Sequence, residues 1–381
     1  MTIFLAFSEP YGDSIMLAFK NIFSQGDIII KKTIFFLFLF LFLTGIPSKL
    51  PRFQSIFFPF YCITIVMIWG FINGLIFNVS LNAFNDLSSF IPFILIMFKR
   101  EDFKIINFTK LSKILIIILL FKYFLYQFFS VLLFGVPSWK ILMKQSPILL
   151  ICFSIFLHRI SSFTKTKWDI FFLMISFFLI LAAQARMLLG ATIFVLIVSL
   201  FLGLKKSILL RSLPIFLLAG VLFMNFQGGT IEVVVDQYSG ALYEYGLNYR
   251  MEQWIELKNR ITESWFLGKG LGYFNPLYLT YGQLVKPYQL ELDILNFISK
   301  VGIIFSFLYL VAYTILFWFL SLKKVYFSNN NLIPVFIGIL GLLVYSLGQT
   351  FHQGYLFWFI FLLFYINLDK EWTILKYNDV K

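Results

Sequence analysis

Ile114-Leu-Ile-Ile-Ile-Leu-Leu-Phe-Lys-Tyr-Phe-Leu-Tyr-Gln-Phe-Phe-Ser-Val-Leu-Leu-Phe134 is an apolar run in which Lys122 is the single charge. About 20 such residues, rising about 1.5 Å each in a helix, cover the hydrocarbon layer of a bilayer. Further apolar runs bounded by charges or turn residues lie on both sides of it. They predict helices near Thr33 to Ile46, Ile56 to Phe77, Leu87 to Phe98 and Pro147 to Leu157. Six more are expected near Ile170 to Ala183, Met187 to Leu202, Leu213 to Phe226, Ile294 to Leu322, Leu332 to Leu347 and Tyr355 to Ile366. Several of these cores are short, so flanking Trp, Tyr and Lys must complete them. The expected fold is all-α: a polytopic integral membrane protein of eleven helices, or twelve if a segment within Ser14 to Ile30 crosses despite Lys20 and Asp27.

Composition points the same way. Sixty per cent of the 381 residues are hydrophobic, 13 per cent are charged and the mean hydropathy is +0.88, a balance no soluble surface could solvate. The 52 Phe read as codon bias and packing rather than as a cofactor box. Cys62 and Cys152 sit inside apolar runs, where core packing is expected and neither a metal nor a disulfide framework is suggested. Glu9, Asp13, Lys20 and Asp27 interrupt the N-terminus, which therefore lacks the apolar centre of a signal peptide.

Sidedness follows from the cations, because loops rich in Lys and Arg stay cytoplasmic. One side of the predicted topology carries eighteen of them, from Lys49 and Arg52 through Lys99, Arg100, Arg159, Lys205, Lys206 and Arg211 to Lys323, Lys324 and Lys381. The short loops of the other side carry only Lys140, Lys144 and Arg186. That places the long segment Gln227 to Asp293 outside, and its eight acids against five bases suit an external face. The chain accordingly divides into N-terminal spans (1–226), an external loop (227–293) and C-terminal spans (294–381).

The external loop holds the ordered chemistry: Arg250-Met-Glu-Gln-Trp254, Trp265-Phe-Leu-Gly-Lys-Gly-Leu-Gly272 and Glu291-Leu-Asp293. Trp254, Leu257, Ile261 and Trp265 recur at helical spacing, so Arg250 to Trp265 predicts an amphipathic helix lying along the membrane surface. Glu252 and Glu256 stand on its polar face, Glu256 four residues before Arg260, which is ion-pair spacing. The Gly268 to Gly272 stretch lacks Ser or Thr after Lys269 and has Tyr273 three beyond Gly270. It meets neither nucleotide fingerprint and marks a tight turn.

Arg186, between apolar helices on the cation-poor side, reads first as a snorkelling residue and second as a partner for a diphosphate, whose geometry suits a guanidinium fork. Glu291 and Asp293 precede the ninth span, where an acid favours a helix N-terminus; as an alternative, such a carboxylate serves as a general base. Lys300 and Lys122 lie within spans, and intramembrane cations usually face a bundle interior or snorkel. His352, near the last outer hairpin, adds a weaker candidate.

The order of these features resembles the O-antigen polymerase and ligase superfamily. The likeness rests on Ala185-Arg186 in a hairpin, Arg250 with Trp254, the Gly268-Lys-Gly270 turn with Gly272, and Leu295 and Gly302 at the loop's end. It departs where ligases carry a His eleven residues before that glycine, since Glu291 stands there, and this favours a polymerase. The resemblance implies an enzyme of the bacterial inner membrane that joins polyprenyl diphosphate-linked oligosaccharides on its periplasmic face. Arg186 and Arg250 would neutralise the departing diphosphate and Glu291 would take the acceptor's proton. Tyr249, Arg260, Lys269, Lys286, Asp293, Lys300 and His352 would be secondary contacts to sugar or phosphate. No cofactor, metal or nucleic acid is called for; the lipid bilayer and a separate chain-length regulator are the expected partners. The alternatives are an O-antigen ligase acting on lipid A core and, from another class, a transporter or flippase. Transporters place polar groups at the midplane of broken helices, whereas here they gather at one face.

Overall fold

The computed structural model describes residues 10–11, 58–78, 90, 106–134, 142–143, 146–161, 166–183, 186–201, 241–273, 277–278, 284–285, 293–322, 332–347 and most of 357–368. Among the described residues the fold is all-helical apart from two antiparallel pairs of two-residue strands, Pro10–Tyr11 with Leu142–Met143 and Leu277–Tyr278 with Leu284–Val285. The helices are α1 (Phe58–Asn78), α2 (Phe108–Phe134), α3 (Leu149–Ser161), α4 (Lys167–Ala182), α5 (Arg186–Phe201), α6 (Ala241–Glu263), α7 (Asp293–Val301), α8 (Ile303–Leu322) and α9 (Leu332–Tyr345). A further helix covers most of 357–368. The expected spans at Thr33 to Ile46 and Leu213 to Phe226, and that at Leu87 to Phe98 apart from Phe90, lie outside the described residues. Among the described residues one helix, over Phe58–Ile76, is long and apolar enough to cross a membrane by length and composition; Leu149–Ile160, Met187–Ser199, Ile303–Trp318 and Leu332–Tyr345 are apolar but shorter.

The chain packs as two units, each drawn from three separated segments. The first unit (Met1–Leu37, Ile105–Val234 and Asn329–Tyr345) is built around α3, whose residues from Leu149 to Leu157 are all buried. Helices α2, α4, α5 and α9 surround it. Close approach rests on small residues. A Cβ added at Gly338 on α9 would stand 2.6 Å from the Ile151 Cα, and one at Gly341 would press on Val195. Gly338→Val is therefore expected to cost about 1–3 kcal/mol of stability, typical of overpacking, read as a lowered midpoint of thermal unfolding in detergent.

Helix α4 starts with a capping box. The Asp169 N–H donates to the Thr166 hydroxyl at 3.3 Å and the Thr166 N–H donates to the Asp169 carboxylate at 2.9 Å. Arg159, in the last turn of α3, adds a two-pronged bridge to the same carboxylate at 3.0 and 3.3 Å, tying the two helix ends together ahead of the apolar run from Ile170. Burial by itself would raise the Asp169 pKa, but Arg159 and Thr166 outweigh it and hold the carboxyl below its ordinary 3.8. A depressed carboxyl stabilises the fold fully above that ordinary value and loses the contribution as pH falls through the lower folded value. The destabilisation by Asp169→Asn should therefore be about 1–3 kcal/mol at neutral pH and shrink as pH drops below 3.8. Unfolding midpoints of both proteins across that range measure it.

The second unit (Phe38–Lys104, Val235–Ser328 and Ser346–Lys381) packs α1 against α7 and α8, with α6 on α7. An aromatic cluster fills its core, with Phe60 4.5 Å from Tyr365 and 5.3 Å from Phe361 between ring centres, and Tyr313 5.6 Å from Phe361. The ninth expected span, Ile294 to Leu322, is corrected here. It is two helices broken at Gly302, whose φ of +85° a continuous helix excludes. The loop helix also differs from expectation: α6 begins at Ala241 rather than Arg250 and ends at Glu263, before Trp265.

Candidate functional site

The site is organised by glycine. Gly268, Gly270 and Gly272 all take positive φ, at +77°, +85° and +77°, and wind the chain into a turn seated between α1 and α7. The Lys269 N–H donates to the Ser299 carbonyl at 2.9 Å and the Gly270 N–H to the Lys300 carbonyl at 2.8 Å. These are carbonyls at the end of α7 that the helix itself leaves unsatisfied. The Leu271 N–H donates to the Gly70 carbonyl of α1 at 2.8 Å, and the Ile303 N–H that starts α8 donates to the Trp265 carbonyl at 2.8 Å. The Asn73 amide crosses from α1 to the Leu267 and Gly268 carbonyls at 2.8 and 3.0 Å, and the Trp69 indole N–H reaches the Leu267 carbonyl at 3.2 Å. The turn expected from the Gly-Lys-Gly-Leu-Gly stretch is thus present, and its polar backbone is satisfied by two helices.

Around this turn gather four charged side chains and one ring. The guanidinium of Arg260, buried near the end of α6, donates to Glu256 at 2.8 Å and lies 5.2 Å from the centre of the Tyr273 ring. The Lys269 ammonium donates to Glu263 at 2.7 Å and lies 5.7 Å from the same ring. Two cations share one aromatic face donor, each with its own carboxylate. The hydrogen bond and charge of Lys269 hold the Glu263 carboxyl below its ordinary range. Beside them is a cleft of about 490 Å³ lined by Glu263, Ser264, Trp265, Phe266, Leu267, Gly268, Lys269 and Tyr273.

Of the expected site residues the structure brings Arg260 and Lys269 together. Lys300 is 1 % exposed, on the same α7 whose carbonyls hold the turn. Tyr249 and Arg250 are placed on α6, Arg186 is the first residue of α5 and Asp293 the first of α7, with their side chains outside the described residues. Glu291, Lys286 and His352 lie outside them altogether. Lys122 is buried on α2, and both cysteines are buried with free thiols, as packing residues should be. The surface stripe needs correction. Gln253, Leu257 and Arg260 form the buried face of α6, while Trp254 and Trp265 are exposed together with Met251, Ile255 and Phe266. Apolar spacing marked a stripe but could not say that a polar pair, Gln253 and Arg260, would take the inner side.

Sequence reasoning passed over Glu263, Tyr273 and the helix that receives the turn. The last had a signal: Gly70-x-x-x-Gly74 in α1 is the small-residue spacing that lets backbones approach, and a Cβ at Gly74 would run into the Leu271 carbonyl. Tyr273 had none, since its value comes from where the turn carries it. Compared with known proteins, this chain matches no protein family, no curated protein and no solved structure.

Proposed function

We propose that this chain is a polytopic membrane glycosyltransferase that polymerises polyprenyl diphosphate-linked oligosaccharide units on the outer face of the bacterial inner membrane. The membrane part of the reading is supported by exposed apolar surface: Ile65, Ile68, Ile72 and Ile76 line one face of α1, and Phe121, Phe124, Phe128 and Leu132 one face of α2. In water such stripes would be severe liabilities, and in lipid they are ordinary. The enzymatic part leans on the resemblance in Arg186, Arg250, the glycine turn and Gly302.

The observation that carries the reading is the seating of the glycine turn on α7. It fixes cations of the external loop beside an aromatic ring and a cleft, at the end of a helix with a buried lysine. In the proposed reaction the bond between the donor's anomeric carbon and the diphosphate oxygen breaks as a bond to the acceptor hydroxyl forms. The acceptor's proton passes to Glu291, and the diphosphate leaves with its charge met by Arg186 and Arg250. Purified protein in liposomes, given lipid-linked repeat units of its host, should yield a ladder of lipid-linked oligomers. Absence of any covalent product would return the transporter to first place, and transfer only to lipid A core would mean a ligase.

A further inference from the structure

The exposed aromatic residues next to the cleft are not isolated. Trp265 and Phe266 are 56 % and 49 % exposed and pack edge to face, 5.4 Å between ring centres. The Trp265 carbonyl is bonded to the N–H of Ile303, the first residue of α8, and from there an exposed apolar stripe of Ile303, Ile304, Phe307 and Leu310 runs on down the helix. Lip and stripe form one continuous apolar surface. On α6, Met251, Trp254 and Ile255 are exposed as well. Trp at this level also suits the headgroup boundary, where an indole keeps one end wet.

The cleft therefore has two unlike walls. Trp265, Phe266 and Leu267 form an apolar one that continues into the lipid-facing stripe; Glu263, Ser264, Lys269 and Tyr273 form a polar one. The two cations that stand over the Tyr273 ring differ. Arg260 is buried against Glu256 and fixed, whereas Lys269 is partly exposed and its partner Glu263 largely so. A pair that open to water is held weakly, so an incoming anion with better geometry can take the place of Glu263.

We propose that this cleft holds the phosphate-bearing head of a lipid whose hydrocarbon tail stays in the bilayer. The lipid reaches the cleft sideways over Trp265 and Phe266, and Lys269 exchanges Glu263 for its phosphate. Tyr273 is a positioning residue, its ring lying beneath both Lys269 and Arg260. The proposal deepens the reading of a lipid-linked substrate and rests on it for the membrane setting.

The test uses the full chain in phosphatidylethanolamine and phosphatidylglycerol liposomes with farnesyl phosphate carrying a diazirine in its tail. Adducts are expected at Trp265, Phe266 and the Ile303 to Leu310 stripe, competed by undecaprenyl phosphate. Lys269→Ala should lower labelling about tenfold, the worth of one charge-assisted contact, while its backbone bond to Ser299 keeps the turn in place. Glu263→Gln should raise labelling by removing the carboxylate that competes for Lys269. Competition by inorganic pyrophosphate as strong as by undecaprenyl phosphate would overturn the lipid in favour of a free phosphate. Labelling indifferent to both Lys269→Ala and undecaprenyl phosphate would overturn the site, leaving a lip that only faces bulk lipid. The polymerisation ladder is scored separately: a ladder without specific labelling removes this site and keeps the polymerase, and labelling without a ladder does the reverse.

Discussion

Gly270→Ala should leave almost no folded protein. Two costs fall on the same atom. At φ +85° an alanine sits in the left-handed region, at about 1–2 kcal/mol, and its Cβ would run into the Gly74 backbone of α1. Backbone cannot swing aside as a side chain tip can, so either the turn lifts off α1 or the helix shifts. Lifting off breaks the Leu271 bond to Gly70 and strains those to Ser299 and Lys300. Together with an overpacking cost of about 1–3 kcal/mol, this is a large fraction of a marginal stability. Gly302→Ala should behave alike, since it has the same φ and its Cβ would meet the Phe266 carbonyl. Yield of monodisperse protein after detergent extraction, with its unfolding midpoint, measures both. An unfolding midpoint within about 0.5 °C of the unsubstituted protein, roughly what a few tenths of a kcal/mol would shift in a chain of 381 residues, would mean that the turn is not seated between α1 and α7 in this way.

Arg250→Ala and Arg186→Ala should abolish polymer while the protein still inserts and folds. Each would remove a guanidinium from the departing diphosphate, and loss of one such stabilising group costs about a hundredfold or more in rate. Arg250 lies ten residues before Arg260 on α6, about 15 Å along the helix axis, so it stands well apart from the Lys269 and Tyr273 cluster. The two regions should therefore respond differently: Arg250→Ala acts on turnover, Lys269→Ala on lipid labelling. Arg→Lys at either position should restore little, because a point charge does not reproduce the planar fork. Ladder assays at matched protein levels decide this, and full activity of both alanine variants would remove the proposed mechanism.

The all-helical class was legible because apolar runs broken by charge leave little choice, and α4, α5 and α9 begin within three residues of their expected starts. The ion pair of Glu256 with Arg260 and the glycine turn were legible for the same reason: both are set by residues close in the chain. What escaped was long-range. Hydropathy saw Ile294 to Leu322 as one span because a glycine in an apolar run looks harmless; its φ is positive, and Phe266 and Gly268 fill the space beside it. The receptor for the turn lies nearly two hundred residues upstream, where Asn73 reads as a stray polar residue until its two bonds to the turn are seen.

That distance sets an order of assembly. The turn bonds at once to residue 70 and to residues 299 and 300, so a ribosome that has just made α6 has not yet made the strip of α7 on which the loop closes. Through that interval the loop has one attachment site and awaits the other. A chain halted before Ser299 should carry an unlatched loop that an added protease cuts readily, and completing α7 should seal it.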